Sequence, residues 1–160
     1  MFEEFISWVW GRHHNILSWY VRPLFILPYC YFAYQRKLSY VVLTLLLLPT
    51  TLFWFPAPEV PSEKVIQYLA WEREFLLNAP LVQKMVLVIL VVLFLWFLAR
   101  AFWKRSMIYG LIVLNVGTGL KVLWSIFFAG ETGMASLLPS VVTLLVCNAV
   151  FLFFWKQKNV

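Results

Sequence analysis

The stretch Ser106–Ala129, SMIYGLIVLNVGTGLKVLWSIFFA, decides the fold. At about 1.5 Å per residue, its roughly 24 residues are long enough as a helix to cross a bilayer. One charge, Lys121, sits deep in its second half. The chain around it has the same character: 63% of residues are hydrophobic, 12% are charged, and the mean hydropathy is +0.83. Soluble domains carry about a quarter charged residues, so that class is excluded. With 160 residues there is no room for a separate aqueous domain. The whole chain, 1–160, is therefore expected to form one integral membrane domain.

Four further apolar stretches flank the first, at 16–34, 38–55, 81–99 and 135–155. The expected fold is an all-α polytopic membrane protein with five transmembrane helices. Residues 16–34 contain Arg22, Pro23 and Pro28 and are either kinked or re-entrant. If they are re-entrant, four true spans remain. Residues 1–15 mix Trp8 and Trp10 with Glu3 and Glu4 and read as an interfacial segment. Residues 81–99 hold no small residue before Ala99, which makes that span the most lipid-exposed.

The connections sort by sign. Arg36-Lys37, Arg100 with Lys104-Arg105, and Lys156 with Lys158 form basic connections free of acid. All 7 acidic residues, Glu3, Glu4, Glu59, Glu63, Glu72, Glu74 and Glu131, fall in the others. Five crossings satisfy the positive-inside rule with the N-terminus outside and the C-terminus in the cytoplasm, in a plasma (inner) membrane. The net charge of +6 follows from this positional bias, so no nucleic-acid partner is expected. The opening MFEEFISWVW lacks a basic n-region and does not read as a cleavable signal peptide. Tyr34-Gln35-Arg36-Lys37 resembles Phe102-Trp103-Lys104-Arg105, but any two loops obeying the charge rule would, and no duplication follows.

On a helical wheel, Ser106, Gly110, Gly117 and Lys121 share one face of the opening stretch, with Asn115 and Gly119 opposite. Residues 135–155 offer Ser136, Ser140, Thr143 and Cys147 on one side. Small residues permit close backbone approach, so these two spans are expected to pack along those seams. An ionised amine at the membrane midplane costs about 3 kcal/mol, so Lys121 needs a partner or a wet cavity. The long connection offers one. Ser62 reads as the N-cap of an amphipathic outer helix over 62–78, with Val65, Tyr68, Leu69, Trp71, Phe75 and Leu76 as its apolar stripe. Glu72 interrupts that stripe and would point down into the bundle. A Glu72–Lys121 pair, or a polar cavity lined by both, is expected, with Glu131 as rival partner. The plainer alternative leaves Glu72 hydrated at the interface and Lys121 on backbone carbonyls. Arg22, Asn115 and Asn148 complete the expected intramembrane polar site.

Nothing points to a metal or cofactor. His13 and His14 are adjacent, do not share a helix face, and read as a solvated pair. Cys30 and Cys147 lie in apolar runs and read as packing residues rather than a disulfide. The aromatic run Trp19, Tyr20, Tyr29, Tyr31, Phe32 and Tyr34 reads as packing before a ligand pocket. No phosphate loop or nucleophile elbow is present, which weakens a membrane enzyme acting on lipid or quinone. The leading expectation is a small transport or channel-like protein with a polar site around Lys121. Its length favours a homo-oligomer. A non-catalytic binding or assembly subunit of a larger membrane complex is the alternative.

Overall fold

A computed structural model describes residues 2–158 of the chain. The side chains of Glu3 and Lys158, used above in sorting the charges, lie outside those described. In order come α1 (Phe2–His13), α2 (Ile16–Leu24), α3 (Ile26–Tyr34) and α4 (Leu38–Leu47), which a 3-10 turn continues to Phe53. Then follow α5 (Glu63–Asn78), α6 (Leu81–Trp103), α7 (Met107–Ala129), a 3-10 segment (Gly130–Ser136) and α8 (Leu137–Lys158). The fold is all-helical, with no strand among the described residues.

Two helical stretches are long and apolar enough to cross a membrane, Leu81–Trp103 and Met107–Gln157, with hydropathies of 2.7 and 2.3. That is fewer than the five expected, and proline chemistry accounts for the shortfall. Pro23 and Pro28 lack the amide hydrogen a continuous helix needs, and residues 16–34 split at Phe25 into two 9-residue helices. Pro49 does the same in the next stretch. The α-helix ends at Leu47 and tightens into 3-10 geometry, so this apolar helix stops at Phe53. The 51-residue stretch instead contains two arms. Lys121–Ser140 and Ser125–Ser136 contacts run in opposite directions along α7 and α8, so the pair is an antiparallel hairpin folded at the 3-10 segment.

The outer amphipathic helix is found where the sequence places it, Glu63–Asn78. Ser62 caps it with its backbone carbonyl, which accepts from Val65 and Ile66, and not with its hydroxyl. Val65 and Leu69 are buried against Trp19. This seats α5 across the end of the bundle formed by α2 and the 3-10 segment.

Two corners close the opposite end. Arg36 and Arg105 adopt left-handed backbone, with φ of 58° and 57°. Each is stitched by the same two bonds of a Schellman cap. Arg36 N donates to Ala33 O and Lys37 N to Phe32 O; Arg105 N donates to Phe102 O and Ser106 N to Ala101 O. The corners also touch. Arg36 Nε donates to the Trp103 carbonyl at 3.3 Å, and the Arg105 guanidinium stands 5.4 Å from the Tyr34 ring. Contacts from α3 to α6 advance in the same direction along both, from Tyr29 Oη on Leu95 O to Arg36 on Trp103. The hairpins α3–α4 and α6–α7 therefore stand side by side with matching corners. The match pairs Tyr34-Gln35-Arg36-Lys37 with Trp103-Lys104-Arg105-Ser106, one residue later than the sequences alone suggest.

Charge sorted by loop thus becomes charge sorted by end. The corner end holds Arg36, Lys37, Arg100, Lys104, Arg105 and Lys156 and no acid among the described residues. Glu63, Glu72, Glu74 and Glu131 lie at the α5 end, beside the basic Arg12, Lys64, Arg73 and Lys84. Toward the corner end the interior is apolar, with Tyr29, Cys30, Leu98, Phe102, Cys147 and Phe151 packed together. Cys30 and Cys147 are free and buried in this core.

The glycine seam serves a different neighbour from the one expected. A Cβ on Gly110 would collide with the Phe102 ring and one on Gly117 with the Phe94 ring, so both accept phenylalanines of α6 rather than α8. A flat ring needs the volume a side chain would take, which is why glycine stands there. Gly119 has nothing within 4 Å of where its Cβ would be and makes no packing contact. α8 does bury Ser140, Thr143 and Cys147. The face of α7 it meets carries Asn115 and Ser125, with Lys121 at the edge. The face of α6 along Val88, Val91, Val92 and Trp96 is exposed, as expected for that stretch.

Candidate functional site

Beneath α5, at the acid-bearing end, polar side chains from α1, α2, α5, α7 and α8 converge. Asn15 starts the arrangement. Its side chain accepts from Leu17 N and its amide donates to Pro56 O, which separates α1 from α2 and folds the first helix back. His13 is then held 5% exposed between the rings of Trp10 and Trp19, with Trp19 Nε1 bonded to its carbonyl at 3.1 Å.

Arg22 Nη2 lies 3.2 Å from His13 Nδ1, and His13 Nε2 lies 3.5 Å from Glu72 Oε2. Arginine has only donors, so Nδ1 must accept and the ring proton sits on Nε2, facing the carboxylate. His13 thus bridges a cation and an anion. Glu72 does point into the bundle, as its place in the apolar stripe of α5 implies, but it meets His13 and not Lys121.

Lys121 Nζ donates to Ser140 Oγ at 3.3 Å, and Ser140 Oγ in turn donates to the Ser136 carbonyl at 2.8 Å. Neither the expected Glu72–Lys121 ion pair nor a carbonyl-only environment is found. Lys121 is an exposed residue whose amine is part-buried on Ser140, at the rim of the cluster, where the charges of Arg22 and Glu72 also act on it. Ser125 and Ser136 share a hydrogen bond of 3.0 Å beside Gly133, whose missing Cβ lets the 3-10 segment close on Ser125. The Tyr68 phenol of α5 faces these two hydroxyls. Burial, followed by the charge of Glu72, pushes the Tyr68 phenol above its ordinary value. Glu131, the rival partner, is exposed on the 3-10 segment.

The cluster therefore holds two cations, Arg22 and Lys121, against one carboxylate that already faces His13. It also holds one buried polar atom with no partner among the described residues, Arg22 Nε. A buried donor left unmet costs about 1–3 kcal/mol, and more when charged. The cluster thus carries an excess of positive charge and an N–H donor, Arg22 Nε, that is not yet paired. No group of three or more metal-ligating side chains comes together among the described residues.

Asn115 and Asn148 stand apart from this cluster. Asn115 Nδ2 donates to Asn148 Oδ1 at 2.9 Å and Asn148 Nδ2 to Asn115 Oδ1 at 3.2 Å. Each spare amide hydrogen goes to the carbonyl four residues back, Leu111 O and Leu144 O, at 2.8 Å. The pair is a closed ring that clamps α7 to α8.

Sequence reasoning grouped Arg22, Glu72 and Lys121 with Asn115 and Asn148, gave Ser136 and Ser140 only a packing role, and missed His13, Tyr68 and Ser125. The reading of His13 as solvated is overturned by its burial. The usable signal was Asn15, an N-cap residue ahead of an apolar run, which marks a chain reversal right after the histidines. Comparison of the chain with known protein families, with curated proteins and with solved structures finds no match.

Proposed function

We propose that the protein is a small integral membrane transport protein that takes an anionic solute at the polar cluster beneath α5. In this reading all five arms (α2–α3, α4 with its 3-10 turn, α6, α7 and α8) cross the bilayer. The basic corners lie in the cytoplasm, and α1 and α5 lie on the outer surface of a plasma membrane. The alternation of charge between the two ends supports that orientation. The kinked α2–α3 arm counts as a full crossing because its two ends contact opposite ends of the bundle: Asn15 at Pro56, Arg36 at Trp103.

One observation carries the choice of anion. Arg22 and Lys121 outnumber Glu72, and Arg22 Nε is buried without a partner. A carboxylate or phosphate group meets that chemistry, with Arg22 as the directional donor and Lys121 as the point charge. The packed core between cluster and corners offers no straight route through one protomer, so an oligomer supplies the pathway.

Uptake of labelled succinate and inorganic phosphate into vesicles containing the purified chain tests this. Saturable uptake, lost in Arg22→Leu, is expected. Vesicles no more permeable than protein-free ones to every anion tried would leave a binding or assembly subunit in its place.

A further inference from the structure

A second site lies at the other end. The face of α6 formed by Trp96, Ala99, Arg100, Trp103 and Lys104 lines a pocket of about 250 Å³. These residues fall at helical spacings of three and four, so one groove runs up one face. The Arg100 guanidinium stands over the Trp96 ring at 5.3 Å, drawn back along the helix as side chains lean toward its N-terminus. Lys104 stands at the helix end, exposed. Arg36 reaches the carbonyl of Trp103 from the neighbouring corner, so Arg36, Arg100, Lys104 and Arg105 gather in this part of the corner end, with no acid among the described residues.

The same face continues away from the pocket as an exposed apolar track, Ile89, Val92, Leu93 and Trp96, each between 43% and 57% exposed. A ligand filling both must carry a negative head and a long apolar tail. We propose that this face binds an anionic glycerophospholipid: its phosphate lies between Arg100 and Lys104, its glycerol region rests on Trp96 and Trp103, and an acyl chain runs along the track. A free phosphate ion would use the basic pair and ignore the track. The proposal rests on the membrane reading above, and on the corner end facing the leaflet that holds the lipid.

The test is lipid retention by the full chain in detergent, read by native mass spectrometry. The probes are phosphatidylglycerol and phosphatidylcholine with identical acyl chains. The wild-type chain should retain the anionic lipid selectively, and Arg100→Gln with Lys104→Gln should lower that selectivity about tenfold or more. Both side chains are exposed, and circular dichroism checks that the helices persist. Lys37→Gln with Lys156→Gln removes equal charge from the same end and should leave the selectivity intact. Equal loss in that control would reduce the effect to surface charge and overturn the site. So would selectivity that survives the first pair of substitutions. Displacement of the lipid by millimolar inorganic phosphate would assign the pocket to the free ion and overturn the lipid. A chain that enters vesicles but shows no lipid preference sinks this proposal alone; one that never enters them sinks the membrane reading as well.

Discussion

Two sets of polar groups interrupt the apolar helices, and they are finished differently. Asn115 and Asn148 spend every amide hydrogen on each other or on a carbonyl one turn back. The cluster beneath α5 does not: Arg22 keeps a buried donor unmet, and Lys121 meets one neutral hydroxyl. A closed network rigidifies, whereas one with an unmet donor and excess positive charge keeps hydrogen-bonding capacity for a further group. In the proposed function the first set is a clamp and the second a receptor. Composition alone cannot separate them, because both are a few polar residues in helices.

The largest effect should come from the receptor side. Arg22→Leu should weaken succinate or phosphate binding about 10- to 100-fold, measured by equilibrium binding in lipid nanodiscs. Stability of the same variant should fall by no more than about 1 kcal/mol, since the donor lost by His13 Nδ1 is offset by removal of an unmet buried donor. An equal loss of binding and stability would make Arg22 a clamp like the asparagines.

Glycine positions rank next. Gly117→Leu places a side chain where the Phe94 ring lies and should cost about 1–3 kcal/mol in detergent-unfolding assays. Gly119→Leu, with open space around it, should cost no more than a few tenths. Similar costs at both would show that α7 is held by something other than its fit to α6.

The asparagine clamp should behave as a unit. Asn115→Leu and Asn148→Leu should each destabilise, and a double-mutant cycle should return a coupling of about 0.6–2 kcal/mol. Zero coupling would break the contrast drawn here.

The smallest effect is a pH dependence. The Tyr68 phenol is held above its ordinary value of 10.0, chiefly by burial. Its contribution to stability is therefore full below the unfolded value and fades as pH rises through the folded one, because the unfolded chain ionises first. Tyr68→Phe should flatten the alkaline fall in melting temperature; an unchanged slope would show that Tyr68 is not the group responsible.

Most of the architecture was legible in the chain. α5 follows its apolar stripe between Ser62 and Asn78, and α7 runs from its Ser106 cap to Ala129 as hydropathy dictates. What hydropathy could not register was backbone chemistry. Three prolines broke or tightened two of the apolar stretches without lowering their apolar content. The glycine face was visible on a wheel, but its partner was not, because a wheel records which residues share a side and not which helix arrives there. The site was half legible for the same reason. Glu72 stood out as a charge among apolar neighbours, whereas His13 became part of the site only through the bend at Asn15, which sets its ring against Trp19 and Arg22 while α1 packs on the 3-10 turn.

The most direct test of the receptor is the thermal stability of the full chain in nanodiscs, titrated with succinate or phosphate against chloride at matched ionic strength. A rise in melting temperature that saturates with the anion in the wild type, and vanishes in Arg22→Leu while Asn115→Leu retains it, is the predicted result. An equal response in all three chains, or none in the wild type, would contradict an anion site beneath α5.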